Sequence, residues 1–562
     1  MRQEEPFKII VVGGATGGMS AAVRLRRLNE NAAITLIEKR HNTSYADSGA
    51  PSSLGGVIKS DTFLIHQSPI GLKERFNLDV RDCTELVSIS KEEHSILVRQ
   101  SETNDSYCLS FDKLVLAQGS HLTLPHVHGI DRPNVFTFQT MLDLEQIKDY
   151  VYENRCQSAA ILGGGYLALK ALECLYNFGL RISIIHDQAH IFSELDTDLA
   201  NLLQSNLTQN GIQLRLNANI LNIASGAFEN DCFVTIEGDA NVRADLVVVA
   251  TSLSPLVKIA KNSGIQCKDG VVVNEFMQTS DPDIYAIGDM TQTQNFTSPP
   301  SRMLPLGSRA SQQGRLAADH IMKRGVPYSG HVGTYSCKVF RLTAAVIGFS
   351  VERLEEVGYH PKSVTVHVPD HEAYYPSSQQ MTLRLAFQPS GGRLLGAQII
   401  GRSGVDQRAD VLSTALQAGM SVFDLERLQL LYAPQYGTGK DPVNVAGMVA
   451  SNLLRGDLHM VSPRELDGHL QDWQIIDVRS PDLFAKGHVP SAQNIPIDEL
   501  RGRLADIHKQ CPVLVYSRVG YHGYLAYRTL VQLGYRAANL NGGLKLLVEG
   551  GFGIGLVSSG SE

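Results

Sequence analysis

The 562-residue chain has no CxxC pair and no cluster of cysteine and histidine at zinc-binding spacing. Its eight cysteines, Cys83, Cys108, Cys156, Cys174, Cys232, Cys267, Cys337 and Cys511, are scattered singly. That pattern argues against a disulfide framework and a structural zinc, and suits reduced, mostly buried thiols in a reducing compartment. No metal is expected. Long hydrophobic runs are also missing: none approaches the roughly 18 residues that a membrane span requires. The opening MRQEEPFKII lacks the pattern of a secretory signal, so a soluble, cytoplasmic protein is expected. Positive charge is in short supply. Lys and Arg number 50 against 57 Asp and Glu, a net charge of −7 that gives no basic field for nucleic acid. The chain is too long for one ordinary core, so three or more domains are expected, with apolar residues enough to fill them.

The first 40 residues carry the clearest local pattern. FKIIVV reads as a short apolar strand, GGATGG as a tight turn, MSAAVRLRRL as a helix and AITLIE as a second strand ending in Glu38. In such a βαβ unit Gly13 permits the sharp turn and Gly18 lets the helix approach the strand. The helix N-terminus attracts a pyrophosphate, and Glu38 can accept from ribose hydroxyls. Gly14, Gly17 and Arg40 belong to the same candidate cofactor set, while Ala15 stands at a position usually held by glycine.

A second unit follows in AAILGGGYLALKALECL and LRISIIHD. Gly163 and Gly165 are in place, but Ala168 stands at the last glycine of the fingerprint and His186 where a ribose-binding acid is usual. Nicotinamide binding is therefore expected to be the weaker of the two. Two dinucleotide folds in one chain suggest a flavin paired with a pyridine nucleotide. A third piece, MQTSDPDIYAIGDM, ends a strand in Gly288 and Asp289, and returns the chain to the flavin domain with an aspartate for the ribityl chain.

These motifs, with SYADSGAP, LAQGS, QQGRLAADHI, AYYP and YAPQYGTGKD, resemble the pyridine nucleotide-disulfide oxidoreductases. Within them the sequence is similar to the coenzyme A-disulfide reductases and to persulfide (polysulfide) reductases fused to a rhodanese domain. The resemblance covers nearly the whole chain. It implies an α/β protein with two Rossmann-like dinucleotide-binding domains, an α+β dimerisation domain and a C-terminal α/β rhodanese-like domain. The corresponding spans are 1–125 and 271–325 for FAD, 126–270 for NAD(P)H, 326–455 for the interface and 456–562 for the rhodanese-like part. It also implies a homodimer whose subunits build each active site jointly.

By the same resemblance, coenzyme A contacts fall on Ser20, Arg24, Arg27, Ser44, Asp47 and Lys440. Arg24 and Arg27 lie three apart on one helix and can clamp phosphates, or can simply form a solvated basic face. Asp47 replaces the usual asparagine and adds charge beside any phosphate. Tyr374 and Tyr432 match tyrosines that the family places against substrate and flavin.

The family nucleophile is replaced. In the family's mechanism reduced flavin passes electrons to a cysteine whose thiolate attacks a disulfide or persulfide sulfur, and here Ser48 occupies that position. Ser52 and Ser53 replace bulkier family residues nearby. The tail repeats the change: IIDVRSPDLFAKGHVPSAQNIPIDEL and VLVYSRVGYHG resemble a rhodanese domain, with Ser517 at the catalytic cysteine and His522 at a loop arginine. Serine is the isosteric replacement used to trap sulfur intermediates, so engineering is one explanation. Lys170 in place of a family glutamate, with His186, Asp47, Ser52, Ser53 and His522, favours natural divergence. The expected function is a FAD-dependent NAD(P)H oxidoreductase of this family with impaired thiol chemistry. The alternatives are a thiol-independent NAD(P)H oxidase, or a non-catalytic flavoprotein that binds coenzyme A or persulfides. Nicotinamide-driven flavin reduction separates those two.

Overall fold

The structure is a computed structural model that describes residues 5–41, 49–56, 58–65, 67–226, 231–292 and 307–558. It has the mixed α/β character expected from the sequence, arranged in two units. The first comprises Met1–Asp187 with Arg215–His331, and the second Gln188–Leu214 with Val332–Glu562.

In the first unit β1 (Lys8–Val12) is apolar at four of its five residues, and those four are buried, as suits a parallel strand covered on both faces. The chain crosses through α1 (Thr16–Leu28) to β2 (Ala33–Ile37), which pairs with β1 in parallel. β3 (Asp79–Arg81) extends the sheet beyond β2. An antiparallel meander of β4 (Thr84–Ser90), β5 (Ser95–Gln100) and β6 (Ser106–Ser110) then leads to β7 (Lys113–Leu116), on the other side of β1. The strand Ile284–Ala286 joins β7 and completes the sheet. Alternation splits β1 between two cores: Ile9 and Val11 pack with Ala21 and Leu25 of α1, Ile10 and Val12 with Leu86 and Ile96 of the meander.

A second parallel sheet is built from β8 (Val135–Thr137), β9 (Ser158–Leu162), β10 (Arg181–Ile185) and β11 (Leu246–Val249), in the order β10, β9, β11, β8. The helix α2 (Tyr166–Asn177) connects β9 to β10 and buries Ala168, Leu169, Ala171, Leu172 and Leu175, the spacing of a single helix face. The helix α3 (Gly307–Ile321) crosses α1 so closely that a Cβ on Gly314 would lie 2.3 Å from the Gly17 carbonyl oxygen. Among the described residues no helix is long and apolar enough to cross a membrane.

The second unit contains an antiparallel sheet of β12 (Thr334–Val339), β13 (Leu342–Gly348), β14 (Lys362–Pro369), β15 (Gln380–Phe387) and β16 (Leu394–Gly401), ordered β12, β13, β16, β15, β14. The helix Pro442–Arg455 follows, capped at its start by Asp441 and ended by Gly456 at a φ of +79°. Beyond it lies a parallel sheet in which Val513–Tyr516 is central, between Gln474–Asp477 and Ala537–Leu540. Asn541 joins the two sheets: its side chain accepts from the Thr365 amide and donates to the Ser363 carbonyl.

A buried ion cluster fastens residues 188–214 to this unit. Arg384 on β15 donates to Asp196 at 2.8 Å and to Asp198 at 2.7 Å, and its Nε donates to the Thr365 hydroxyl at 2.9 Å. Gln398 donates to Asp196 and accepts from the Asp196 amide. All four side chains are buried. Asp198 also lies in the first turn of the helix Thr197–Gln209, where a negative charge is favoured. Removing the cation would leave two carboxylates buried without a counter-charge. Arg384→Ala is therefore expected to destabilise the second unit by about 3–5 kcal/mol, with only part regained in Arg384→Lys. Urea unfolding followed by fluorescence of Trp473, the chain's single tryptophan and part of the same unit, checks this. An unchanged midpoint would refute it.

Candidate functional site

The turn between β1 and α1 can be made only by glycine at two points. Gly13 has a φ of +109°, and a Cβ there would lie 2.2 Å from the Ala117 carbonyl oxygen. A Cβ on Gly18 would lie 1.8 Å from the Gly13 carbonyl oxygen. Gly17 is buried in the first turn of α1 and faces Ala310, to which a Cβ would come within 3.2 Å. Glu38, just past β2 and 5% exposed, closes the turn from the side. Its Oε2 accepts from the Gly14 amide at 2.7 Å, and its Oε1 accepts from the Arg40 amide at 2.9 Å and from Arg40 Nε at 3.1 Å. The carboxylate is thus held rigidly, and Oε2, which accepts one bond, keeps acceptor capacity for a further donor.

The second turn repeats the first with one change. Gly163 has a φ of +120°, and a Cβ there would lie 2.4 Å from the Ala250 carbonyl oxygen. Gly165 caps α2, and Ala168 is fully buried on its inner face. The His186 ring lies over the turn, so near that a Cβ on Gly164 would be 2.3 Å from its Cδ2. His186 Nδ1 is 3.1 Å from an Asp187 carboxylate oxygen. A ring, not a carboxylate, therefore occupies the ribose-side position. Lys170 lies over the ring of Tyr166 at 5.6 Å.

Asp289 sits in the single helical turn Gly288–Met290 and accepts from Arg309 of α3 at 3.1 Å. The Gly288 amide donates to Gln313, a fully buried side chain of the same helix. α3 also engages two of the proposed substrate residues. The Ser20 hydroxyl donates to the Ser311 carbonyl at 2.8 Å, and Arg24 is ion-paired with Asp319 at 2.7 Å. Arg27 is exposed, its Nε donating to Val23 of its own helix. Arg24 and Arg27 therefore stand in different surroundings, the first neutralised by a carboxylate. Ser44, Asp47 and Ser48 lie outside the described residues.

In the second unit Glu372, the residue just before the AYYP motif, brings together Tyr432 and Gly439, the neighbour of Lys440. Glu372 Oε1 accepts from the Tyr432 hydroxyl at 3.2 Å and from the Gly439 amide at 3.1 Å. Hydrogen bonding to Tyr374, together with partial desolvation and the Glu372 carboxylate, pushes the Tyr432 phenol up to about 12. Lys440 is exposed beside Gly439, its carbonyl accepting from Thr438. Ser517, which follows the central strand Val513–Tyr516, is 3% exposed. Its hydroxyl oxygen accepts from the Gly520 and Gly523 amides, both at 3.2 Å, and its carbonyl accepts from Leu544 at 2.9 Å. His522, expected at a loop position, lies instead in the first turn of the helix Tyr521–Gln532 and is exposed. Glu372, Arg309 and Gln313 are the partners that sequence reasoning missed. Each acts across a separation that no local spacing rule spans, though Gln313 lies within the QQGRLAADHI motif.

The pyridine nucleotide-disulphide oxidoreductase family model matches residues 7–314, more than half of the chain. The chain belongs to that family. Its dimerisation domain matches residues 334–438, and a rhodanese-like domain matches residues 462–549. The coenzyme A disulfide reductase of Staphylococcus haemolyticus is 30% identical over 450 residues, covering 79% of this chain and 100% of that protein. Among solved structures, reduced Bacillus anthracis CoADR-RHD aligns with a TM-score of 0.94 and 33% identity over 97% of this chain and 98% of its own. The NAD-dependent persulfide reductase from A. fulgidus aligns with a TM-score of 0.90 and 30% identity over 96% and 100%.

Members of the family use FAD and NAD(P)H. The first turn fits a flavin dinucleotide: its glycines leave backbone where a Cβ would intrude, α1 begins directly behind them, and the Glu38 carboxylate is fixed at the edge of the turn. The second turn has the same glycine cradle with an imidazole in place of the acid. Two outcomes follow. The purified protein is expected to carry about one FAD per chain, and Gly18→Ala, which drives a methyl into the Gly13 carbonyl, to lose it. Flavin absorbance per chain after gel filtration measures both. Tyr374→Phe, which removes the largest influence on the Tyr432 phenol, is expected to return it from about 12 toward the ordinary 10, so that it ionises at lower pH. The difference between ultraviolet titrations of each form and its Tyr432→Phe counterpart isolates that one phenol.

Proposed function

We propose that this chain is a FAD-dependent NAD(P)H oxidoreductase derived from coenzyme A-disulfide and persulfide reductases, with thiol chemistry silenced at both family positions. The observation that carries the reading is Ser517. Its buried hydroxyl accepts from the Gly520 amide and from the Gly523 amide in the first turn of the helix Tyr521–Gln532, in a segment that resembles the rhodanese catalytic loop, where the family holds a cysteine. A hydroxyl there satisfies the loop but cannot carry a sulfane sulfur, because serine has no redox couple at its oxygen and a pKa far above a thiol's ordinary value near 8.5.

Ser48 makes the same substitution at the flavin-side position. The other thiols offer no obvious substitute. None of the eight cysteines is in a disulfide, and burial pushes Cys174 up to about 12 and Cys156 and Cys232 up to about 11, so these three stay protonated at neutral pH.

Several residues keep a binding role in this reading. The start of α1 holds a pyrophosphate, Glu38 accepts from a ribose and Asp289 from a ribityl hydroxyl, while Gly163 and Gly165 receive the nicotinamide dinucleotide. When bound, the flavin supplies a ring that accepts a hydride from the nicotinamide and passes electrons onward. His186 removes the acid that disfavours a 2′-phosphate, so discrimination between NADH and NADPH is weak. By the family resemblance, Ser20, Arg24 and Arg27 of the first unit and, separately, Tyr374, Tyr432 and Lys440 of the second are the candidate contacts for a coenzyme A-bearing ligand. Asp319 already neutralises Arg24, which leaves Arg27 and Lys440 as the freer cations. The tyrosine face also supports a homodimer: Leu431 is 85%, Tyr374 74%, Tyr436 57% and Tyr432 51% exposed within the family's dimerisation domain. Cysteines outside any disulfide fit a reducing cytoplasm.

Ser48→Cys tests the reading. Anaerobic NADH and NADPH titrations are expected to bleach the flavin of the natural chain slowly and with little preference. The natural chain should show no turnover with coenzyme A disulfide, coenzyme A persulfide or polysulfide. Ser48→Cys should gain measurable turnover, assayed with dithionite-reduced flavin as well as with NAD(P)H. The gain should be small, because Asp47 disfavours the neighbouring thiolate. Turnover by the natural chain overturns the proposal. A flavin-loaded Ser48→Cys protein with neither a charge-transfer band nor turnover moves the assignment to a non-catalytic binding protein.

A further inference from the structure

The first unit brings together three side chains that no sequence spacing connects: His41, Cys83 and Glu102. His41 Nδ1 lies 3.3 Å from Cys83 Sγ, and one donor atom from each of the three lies within 4.8 Å of the others. We propose that these residues form a site for a zinc-class divalent ion.

The backbone builds the arrangement. Cys83 sits in the short turn between β3 and β4, with a φ of +45°. Its amide donates to the carbonyl of Arg40, the residue before His41, and its carbonyl accepts from the amide of Ser101, the residue before Glu102. One further bond, from the Thr84 amide to the Glu38 carbonyl at 2.9 Å, fixes the start of β4 against the end of β2. The three donors are therefore carried on three chain segments that are hydrogen-bonded directly to one another. They are not three mobile side chains that happen to meet on a surface.

The chemistry and the spacing both suit zinc. Imidazole nitrogen, thiolate sulfur and carboxylate oxygen are the three ligand types zinc accepts, and such a mixed set suits a borderline-soft ion better than magnesium or calcium, which take oxygen alone. Zinc–sulfur and zinc–nitrogen bonds of about 2.3 and 2.0–2.1 Å at a tetrahedral angle place sulfur and nitrogen roughly 3.5 Å apart. The observed 3.3 Å is close to that. The Asp82 carboxylate, 4.0 Å from His41 Nδ1, adds negative charge beside the three donors. Cys83 is half-buried while His41 and Glu102 are exposed, so the thiol is anchored and an ion can still enter from solvent. Glu38 and Arg40 tie the site to the strand end that also carries the glycine-turn carboxylate. None of the three ligands touches that turn in the contacts described above.

The test uses the full-length flavin-loaded protein, stripped with a chelator and equilibrated with zinc, and the bound zinc per chain is read by mass spectrometry. The natural chain should bind one equivalent more than Cys83→Ser, and His41→Ala and Glu102→Gln should weaken binding roughly tenfold or more. Cys511→Ser, which removes an exposed thiol elsewhere, should bind as the natural chain does. A second measurement needs no variant: zinc should slow maleimide labelling of Cys83, but not of Cys511, in peptide maps of the natural chain. Equal zinc in the natural chain and Cys83→Ser, or Cys83 labelling unchanged at saturating zinc, overturns the site.

Discussion

The first unit depends on backbone packed against backbone without a Cβ between. Gly13 meets the Ala117 carbonyl, Gly18 meets Gly13, and Gly314 meets Gly17, each so closely that a methyl group would overlap an oxygen. These contacts set α1 on β1 and α3 on α1, and through them the positions of Ser20, Arg24, Asp289 and Arg309. A cofactor turn is usually described by what it binds. Here the same glycines also fix the packing of two helices, so the binding surface and the core beneath it are one constraint.

The second unit is held differently, by charge. Arg384 is buried with two aspartates and a glutamine, and burial of so many polar groups is tolerable only because each is hydrogen-bonded. The same unit uses Asn541 to join a parallel to an antiparallel sheet, and Arg408 with Asp441 to fix the entry of the helix Pro442–Arg455. Glu372 belongs with these arrangements. It orients an exposed tyrosine by accepting from its hydroxyl and steadies the adjoining Gly439 loop with the same oxygen.

Ser517 is held by its surroundings. Its hydroxyl oxygen accepts the Gly520 and Gly523 amides and its carbonyl accepts from Leu544, which ties the end of the central strand to the two helices Tyr521–Gln532 and Gly543–Glu549. Packing and backbone hydrogen bonds set a fold, whereas the side chains of a site set its reaction, so family membership does not by itself guarantee the family's reaction.

The sequence alone determined the parts governed by local rules. Continuous apolar strands, glycine turns and the acid ending the second strand are read from neighbours a few residues apart, and in the structure Gly13 has a φ of +109°, Gly18 packs against the Gly13 carbonyl and Glu38 accepts from the Gly14 amide. Motif resemblance extended this to the dimerisation and rhodanese-like regions. Tertiary structure decided the rest, because it depends on distant residues meeting. Arg24 faces Asp319, 295 residues away, and its charge is neutralised by a partner that no helical periodicity announces. Glu372 reaches Tyr432 and Gly439 across a chain reversal, and Arg384 finds Asp196 and Asp198 through a segment that leaves one unit to join another. The cysteine and histidine spacing suggested no metal, yet His41, Cys83 and Glu102 are placed side by side by hydrogen bonds between their strands. Spacing along the chain measures only the ligands one segment can supply, whereas an ion responds to donors gathered in space.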